Sequence, residues 1–116
     1  MIKRRRLTEE ERIKLYTMFD GHCAYCGVRI KFIEMQADHK VPISIGGSDT
    51  IDNMYPACRS CNHYKHSLTI EKFRSALNRM PAVLARDNVT YQIATRFGLV
   101  CNVRKKVQFY FETFKY

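Results

Sequence analysis

The sequence predicts an α+β fold: a small ββα unit with flanking helices and one further β-strand near the C-terminus. Three observations predict it. Two Cys-x-x-Cys pairs enclose a stretch that first alternates polar and apolar residues and then becomes helical. A capping-box pattern opens the first helical stretch, and turn-forming residues separate the later ones. At 116 residues, the chain fits a single domain, which we expect to span residues 1–116.

Residues 1–22 are expected to form a basic arm followed by a helix. Lys3–Arg6 is a basic run that suits either a solvated arm or one that contacts phosphate. Thr8 and Glu11 form the predicted capping box of a helix that continues through Phe19. Acidic residues stand where the apolar core of a signal peptide would have to be, so we expect no export.

Four cysteines, arranged as two Cys-x-x-Cys pairs, predict a closed tetrahedral zinc site. The pairs are Cys23 with Cys26 and Cys58 with Cys61. We expect an intracellular, cytoplasmic protein, and in that reducing setting such pairs favour zinc over disulfides. The site would be structural, because a chain this small gains much of its stability from a metal. The fifth cysteine, Cys101, is expected to be a small buried hydrophobe.

The segment between the two cysteine pairs is predicted to supply the two strands of the ββα unit. Met35–Val41 alternates as a strand, which would send Asp38 and His39 to opposite faces. Pro42 cannot donate to a ladder and marks the strand end. The elements predicted to follow are a turn-forming loop at 46–49, a return segment that reaches residue 53, and a short helix within 58–65.

Residues 67–116 are predicted to form a basic extension of helices and a strand. A helix begins at Thr69 and is expected to end at Pro81. A second helix is expected over 89–97, with Gly98 just beyond its end. Residues 107–113 alternate as a strand, with aromatic side chains expected in the core. This extension carries nine Lys and Arg against three acids.

The net charge favours a polyanionic partner. The chain has 20 Lys and Arg against 11 Asp and Glu, a formal charge of +9. Nucleic acid fits this balance better than a membrane, because the sequence has no long basic amphipathic helix and no run of about 18 apolar residues.

Four polar residues form a second constellation, with a chemistry distinct from that of the cysteines. They offer one carboxylate, one imidazole and two amides, and they are Asp38, His39, Asn53 and Asn62. Such a set suits a hard divalent cation and a general base.

In order along residues 23–66, these motifs resemble the HNH nucleases, the ββα-metal family. That pattern reads Asp-His, a Gly-Gly loop, a central Asn, and Cys-x-x-Cys-(Asn/His)-x-x-Lys. The resemblance implies that His39 is the general base, that Asp38 and Asn62 bind Mg²⁺ or Mn²⁺, and that Asn53 braces the loop. It also implies a phosphate contact for Lys65, although a solvated helix residue is the commoner role of such a lysine.

The sequence departs from the His-ending form of this pattern at position 62, which is Asn. The adjacent His63 is therefore an alternative ligand, although Asn62 occupies the motif position. The resemblance further implies DNA, rather than RNA, as the partner in a bacterial or phage-type setting. One active site would nick one strand, as a monomer, while a homodimer could cut both strands.

A non-catalytic, zinc-stapled nucleic-acid-binding module is the alternative from another class of function. It would explain the basic charge and the four cysteines. It would not require the second constellation, because binding alone needs neither a general base nor a second metal.

Overall fold

The computed structural model describes residues 6–115, and most of the basic run predicted at Lys3–Arg6 lies outside them. The chain contacts divide it into two compact units. The first unit comprises Met1–Ile70 together with Gln108–Tyr116, and the second comprises Glu71–Val107. The helices and strands in chain order are α1 (Glu9–Thr17), β1 (Gln36–His39), β2 (Met54–Ala57), α2 (Arg59–Lys65), α3 (Ile70–Asp87), α4 (Val89–Arg96) and α5 (Tyr110–Thr113).

Helix α1 begins at the predicted capping box. The Thr8 side chain accepts from the Glu11 amide, and the Glu11 carboxylate accepts from the Thr8 amide at 3.0 Å. The helix ends at Thr17, two residues before the predicted end, because the chain turns through Asp20 and Gly21, both at positive φ. Leu15 is fully buried, so α1 packs one side onto the core of the first unit.

Strands β1 and β2 pair antiparallel and confirm the two strands of the predicted ββα unit. In the register, Asp38 lies opposite Tyr55 and His39 opposite Met54. Strand β1 is shorter than predicted and ends at His39. Helix α2 follows β2 after a single residue, Cys58, which is its N-cap. The ββα unit is thus completed within 30 residues of sequence, as the spacing predicted.

The connection between the strands closes on itself through two glycines. Gly46 has φ 98°, a left-handed conformation that residues with a Cβ rarely adopt. At Gly47 a Cβ atom would lie 1.8 Å from the Val41 carbonyl oxygen, so only glycine permits this approach. These two positions explain why the loop carries a Gly-Gly pair.

Aromatic rings from both chain segments of the first unit form a cluster against the first cysteine pair. Tyr25 makes edge contacts with three of them, at centroid distances of 5.3 to 6.1 Å, namely Tyr55, Phe109 and Phe111. The amides of Tyr110 and Phe111 donate to the carbonyl oxygens of Tyr25 and Ala24. The C-terminal segment therefore completes the core of this unit.

The prediction of a C-terminal β-strand at 107–113 is wrong. Residues Tyr110–Thr113 form the short helix α5, and the Phe109 amide donates to the Glu112 carboxylate at 2.8 Å. Phe109 is nevertheless buried, as expected for a core aromatic. The alternation arose because Phe109 and Phe111 both contact Tyr25, one just before the helix and one within its first turn.

The second unit contains α4 and nearly all of α3. Helix α3 does not end at Pro81 but continues to Asp87. Proline removes one backbone donor yet holds a helical φ, and the following residues are mostly good helix formers. Helix α4 is capped by Asn88, whose side chain accepts from the Tyr91 amide, and Gly98 lies just beyond its end at φ 73°, as predicted. Cys101 is exposed, which corrects the expectation that it is buried.

The units of the structure meet between Ile70 and Glu71 and between Val107 and Gln108, whereas the predicted segments of the single domain are 1–22, 23–66 and 67–116. Residues 108–116 belong with the first unit rather than with the preceding extension. No helix within residues 6–115 has the length and apolarity that crossing a bilayer requires.

Candidate functional site

The four predicted zinc ligands come together in the first unit. Their sulfur atoms all lie within 4.8 Å of one another, and those of Cys26 and Cys58 are 3.8 Å apart. Tetrahedral zinc with Zn–S bonds of about 2.3 Å places its sulfurs about 3.8 Å apart. The cluster therefore has the donor chemistry and the spacing of a four-cysteine zinc site.

Local backbone structure brings the two cysteine pairs close to each other. In the first pair, Gly27 turns back with φ 79° and its amide donates to the Cys23 carbonyl. In the second pair, the Cys58 sulfur caps α2 and accepts from the Cys61 amide at 3.4 Å. The Ala24 amide donates to the Pro56 carbonyl, which fastens the first turn to β2.

The electrostatics of the thiols favours a bound cation. A hydrogen bond from Cys61 lowers the pKa of the Cys23 thiol to about 4, and the same bond raises the pKa of the Cys61 thiol. Burial raises the pKa of the Cys26 thiol to about 11. The Cys23 thiolate thus forms readily, while Cys61 and Cys26 resist a second negative charge. A zinc ion would remove that resistance, because bound thiols lose their protons.

A separate cavity of about 300 Å³ contains three of the residues predicted for catalysis. It is lined by Asp38, His39, Pro42, Ile43, Ser44, Asn62, His66 and Ser67. Strand β1 supplies the adjacent Asp38 and His39, and α2 supplies Asn62. Because β1 ends at His39, neighbouring side chains both reach the cavity instead of pointing to opposite faces as predicted for a continuing strand.

The Asp38 side chain is buried, and its hydrogen bond and its ion pair are both made by the same oxygen. Its Oδ2 accepts from the Tyr25 hydroxyl at 2.5 Å and lies 3.0 Å from Nζ of Lys65. Burial raises the pKa of the Asp38 carboxyl, against the opposing effects of the Tyr25 hydrogen bond and the Lys65 charge. Burial and the Asp38 carboxylate together raise the pKa of the Tyr25 phenol, which keeps it a proton donor.

The position of Lys65 does not fit the predicted phosphate contact. Its side chain is fully buried, and Nζ donates to the His39 carbonyl at 2.8 Å as well as pairing with Asp38. A lysine whose ammonium is enclosed in this way cannot reach a nucleic-acid backbone outside. It ties α2 to the residues at the end of β1.

His39 pairs with an acid that the motif did not identify. Its Nε2 lies 2.8 Å from Oδ1 of Asp49, with the His39 side chain 6% exposed and that of Asp49 26% exposed. Because an ionised carboxylate only accepts hydrogen bonds, this contact favours the tautomer with its proton on Nε2, in which Nδ1 is the nitrogen that can accept a proton.

Asn53 and Asn62 occupy different places. The side-chain amide of Asn53 bridges the two ends of the Gly-Gly loop. Its Oδ1 accepts from the backbone N–H of Val41, and its Nδ2 donates to the backbone carbonyls of Val41 and Ser48. Asn62 lines the cavity, whereas the adjacent His63 is exposed, with its ring beside that of Tyr64. Of these two candidates, Asn62 is the one whose side chain adjoins Asp38 and His39 in the cavity.

Sequence reasoning missed Tyr25 and Asp49. The sequence gives Tyr25 no predicted role, and it places Asp49 only in a turn-forming loop at 46–49. A tyrosine between two metal-binding cysteines and an acid after a Gly-Gly pair are the available signals. Neither signal specifies a partner, because each contact joins residues at least ten positions apart.

Comparison with known proteins shows what this part of the chain is similar to. The HNH endonuclease family matches residues 23–68. A Bacillus subtilis (strain 168) protein named "SPbeta prophage-derived putative HNH endonuclease YoqL" is 32% identical over an alignment of 85 residues that covers 66% of this chain. The chain spans only 37% of the length of that relative.

A solved structure shows the same fold in a much larger enzyme. The Type II-C Cas9 enzyme from Actinomyces naeslundii matches with a TM-score of 0.53 and 25% sequence identity. The match covers 58% of this chain and 8% of that one. Residues 23–68, with their paired cysteines, Asp-His strand and α2, are thus similar to the HNH endonuclease family.

Proposed function

We propose that this protein is a metal-dependent endonuclease that hydrolyses DNA phosphodiester bonds and nicks one strand per active site. The observation that carries the proposal is the single cavity that joins Asp38, His39 and Asn62. It brings together oxygen donors for a divalent ion and a histidine for the attacking water. A module that only binds nucleic acid needs neither.

Hydrolysis of a phosphodiester requires a deprotonated water and stabilisation of negative charge on the phosphoryl oxygens and the leaving oxygen. A divalent ion bound at the cavity supplies that positive charge. Asp38 and Asn62 would hold it, and because both offer oxygen atoms, Mg²⁺ or Mn²⁺ fits better than a softer metal.

His39 is proposed as the general base. It must be neutral to accept a proton from water, and the Asp49 contact at Nε2 keeps Nδ1 as the accepting nitrogen. Asp49 would act through His39 by holding the imidazole in one orientation and one tautomer. Asn53 would keep the Gly-Gly loop, and with it Asp49, in place by bridging Val41 and Ser48.

DNA is proposed as the substrate because residues 23–68 match the HNH endonuclease family and because the chain is basic. The chain carries +9 overall, and the basic residues are concentrated in the second unit, where eight Lys and Arg face two acids. Both acids, Glu71 and Asp87, pair with neighbouring arginines. A basic surface of this kind binds the phosphate backbone without reading sequence.

The test is cleavage of supercoiled plasmid with Mg²⁺ or Mn²⁺, with and without chelator. The wild-type chain should convert supercoiled DNA to the open circular form, and the chelator should abolish this. His39→Ala should lower the rate on the order of 10²- to 10⁴-fold. His63→Ala is the matched control, because His63 is exposed outside the cavity lining.

The alternative is a non-catalytic, zinc-stapled module, and the same assay separates the two functions. Plasmid retardation on a gel without nicking, under every metal condition, would favour the binding module. Full activity in His39→Ala would remove His39 as the base while leaving the nuclease assignment in place.

A further inference from the structure

We propose that Tyr25 is a positioning residue for the catalytic cation: by occupying Oδ2 of Asp38, its hydroxyl leaves Oδ1 as the single oxygen that binds the ion. The inference rests on the proposed function, in which Asp38 is a ligand of that ion. It adds a role for a residue outside the Asp-His and Asn positions of the motif.

The first step is the distribution of contacts on the Asp38 carboxylate. Both the Tyr25 hydroxyl and the Lys65 ammonium contact Oδ2, at 2.5 Å and 3.0 Å. Within residues 6–115, no buried side-chain oxygen or nitrogen lacks a hydrogen-bond partner. Oδ1 has no hydrogen-bond partner among the described residues, so it is not fully buried. We infer that it faces the cavity that Asp38 lines with His39 and Asn62.

The second step is the rigidity of Tyr25. The residue is 2% exposed, and edge contacts from Tyr55, Phe109 and Phe111 surround its ring. Its carbonyl accepts from the Tyr110 amide at 2.9 Å. A phenol held in this way at both its backbone and its ring keeps its hydroxyl directed at Oδ2 of Asp38.

The third step is the place of Tyr25 in the chain. It stands between Cys23 and Cys26, the first two members of the four-cysteine cluster. The cysteine turn therefore carries both two members of the cluster and the hydroxyl that contacts Asp38. Outer hydrogen bonds of this kind orient ligating carboxylates, and their removal typically weakens metal binding about 10- to 100-fold.

The experiment measures Mn²⁺ binding to the full zinc-loaded chain, by electron paramagnetic resonance of the unbound ion, at one fixed pH. Tyr25→Phe removes the hydroxyl and keeps the ring. We expect its Mn²⁺ dissociation constant to rise about 10- to 100-fold. Zinc content should stay equal to that of wild type, which shows that the cysteine turn is intact.

Tyr110→Phe is the matched control. Tyr110 belongs to the same aromatic cluster and lies over His22, but its hydroxyl makes no hydrogen bond among the described residues. Its Mn²⁺ affinity should match that of wild type. In an Asp38→Ala background, Tyr25→Phe should produce no further change, because the proposed effect passes through Asp38 alone.

The outcomes separate this inference from the proposed function. An unchanged Mn²⁺ dissociation constant in Tyr25→Phe, with a nicking wild-type protein, overturns the inference and leaves the function. A wild-type chain that nicks no DNA, but whose Mn²⁺ affinity depends on Tyr25, overturns the function and leaves the inference. A wild-type chain that binds no Mn²⁺ overturns both, and equal loss of affinity in Tyr110→Phe also overturns the inference.

Discussion

Nζ of Lys65 lies 3.0 Å from Oδ2 of Asp38, and both side chains are buried, at 0% and 3% exposure. The ion pair joins α2 to the end of β1, and Nζ also donates to the His39 carbonyl. Removing the ammonium would leave a carboxylate enclosed without its counter-charge. Breaking a buried pair in this way costs about 3–5 kcal/mol.

We therefore expect Lys65→Met to lower the free energy of unfolding by about 3–5 kcal/mol in urea titrations. Lys14→Met is the control, because Lys14 is exposed on α1 and should change stability by less than about 0.5 kcal/mol. The double change Asp38→Leu with Lys65→Met should recover part of the loss, since no buried charge then remains. Equal stability of Lys65→Met and wild type would contradict the buried pair.

Loss of one cysteine ligand should unfold the first unit. Structural zinc supplies about 10–16 kcal/mol of apparent binding free energy in small modules, which is comparable with the whole stability of a domain. Cys58→Ala should therefore lose zinc by elemental analysis and lose its near-ultraviolet circular dichroism. Cys101→Ser is the control, because that exposed thiol lies outside the cluster, and it should retain both. A fully folded, zinc-free Cys58→Ala chain would argue against a stabilising metal.

Asp49→Asn should slow nicking without weakening Mn²⁺ binding. An Asn side chain can accept a hydrogen bond from Nε2–H of His39, but it gives His39 no charged partner. Its NH₂ group can instead donate to Nε2, which favours the tautomer with the proton on Nδ1. The loss in kcat should not exceed the roughly 10²- to 10⁴-fold that a general base supplies. Asp52→Asn, an exposed acid three residues on, should leave kcat unchanged. In a His39→Ala background Asp49→Asn should add no further loss, and an additive loss would mean that Asp49 acts elsewhere.

Phe109→Ala should destabilise the first unit by about 3–5 kcal/mol. Phe109 is 1% exposed, and its ring lies 5.3 Å from that of Tyr25, so truncation opens a cavity beside the cysteine turn. Phe97→Ala is the control, because that ring is 78% exposed. Thermal unfolding measures both changes. A loss below about 1 kcal/mol for Phe109→Ala would mean that the C-terminal segment contributes little to this core.

Nicking should fall on the acid side of its pH profile, for two reasons with the same sign. Protonated His39 cannot accept a proton from water. Burial raises the pKa of Asp38, so a proton competes with the cation for this carboxylate at a higher pH than for an ordinary Asp, and cation binding is lost as pH falls through that raised value. Saturating Mn²⁺ should therefore move the acid limb to lower pH. A rate independent of pH on the acid side would exclude both effects.

The sequence predicted the elements whose signals are local. The capping box at Thr8, the helix α4 and the cysteine spacing each depend on residues within a few positions, and each is present in the structure. The ββα unit followed from spacing as well. Where several weak signals occurred in one order, as from Asp38 to Asn62, they also placed three side chains at one cavity.

Prediction from the sequence failed where long-range packing determines the local structure or the burial of a residue. Alternation at 107–113 looked like a strand, but no partner strand exists there among the described residues, and the segment packs on Tyr25 instead. Lys65 looked like a surface residue because a lysine is rarely buried, and only its pairing with Asp38 explains the exception. The contacts of Tyr25 and Asp49 cross loops, so composition and periodicity carry no information about them.

The first unit is built from two stretches of chain, with the whole second unit encoded between them. A ribosome therefore releases Phe109 and α5 only after Glu71–Val107 has been synthesised. Until then the turn that carries Cys23, Tyr25 and Cys26 lacks the rings that cover it. Cutting activity would consequently be withheld from the nascent chain and would arise only when translation of this region is complete.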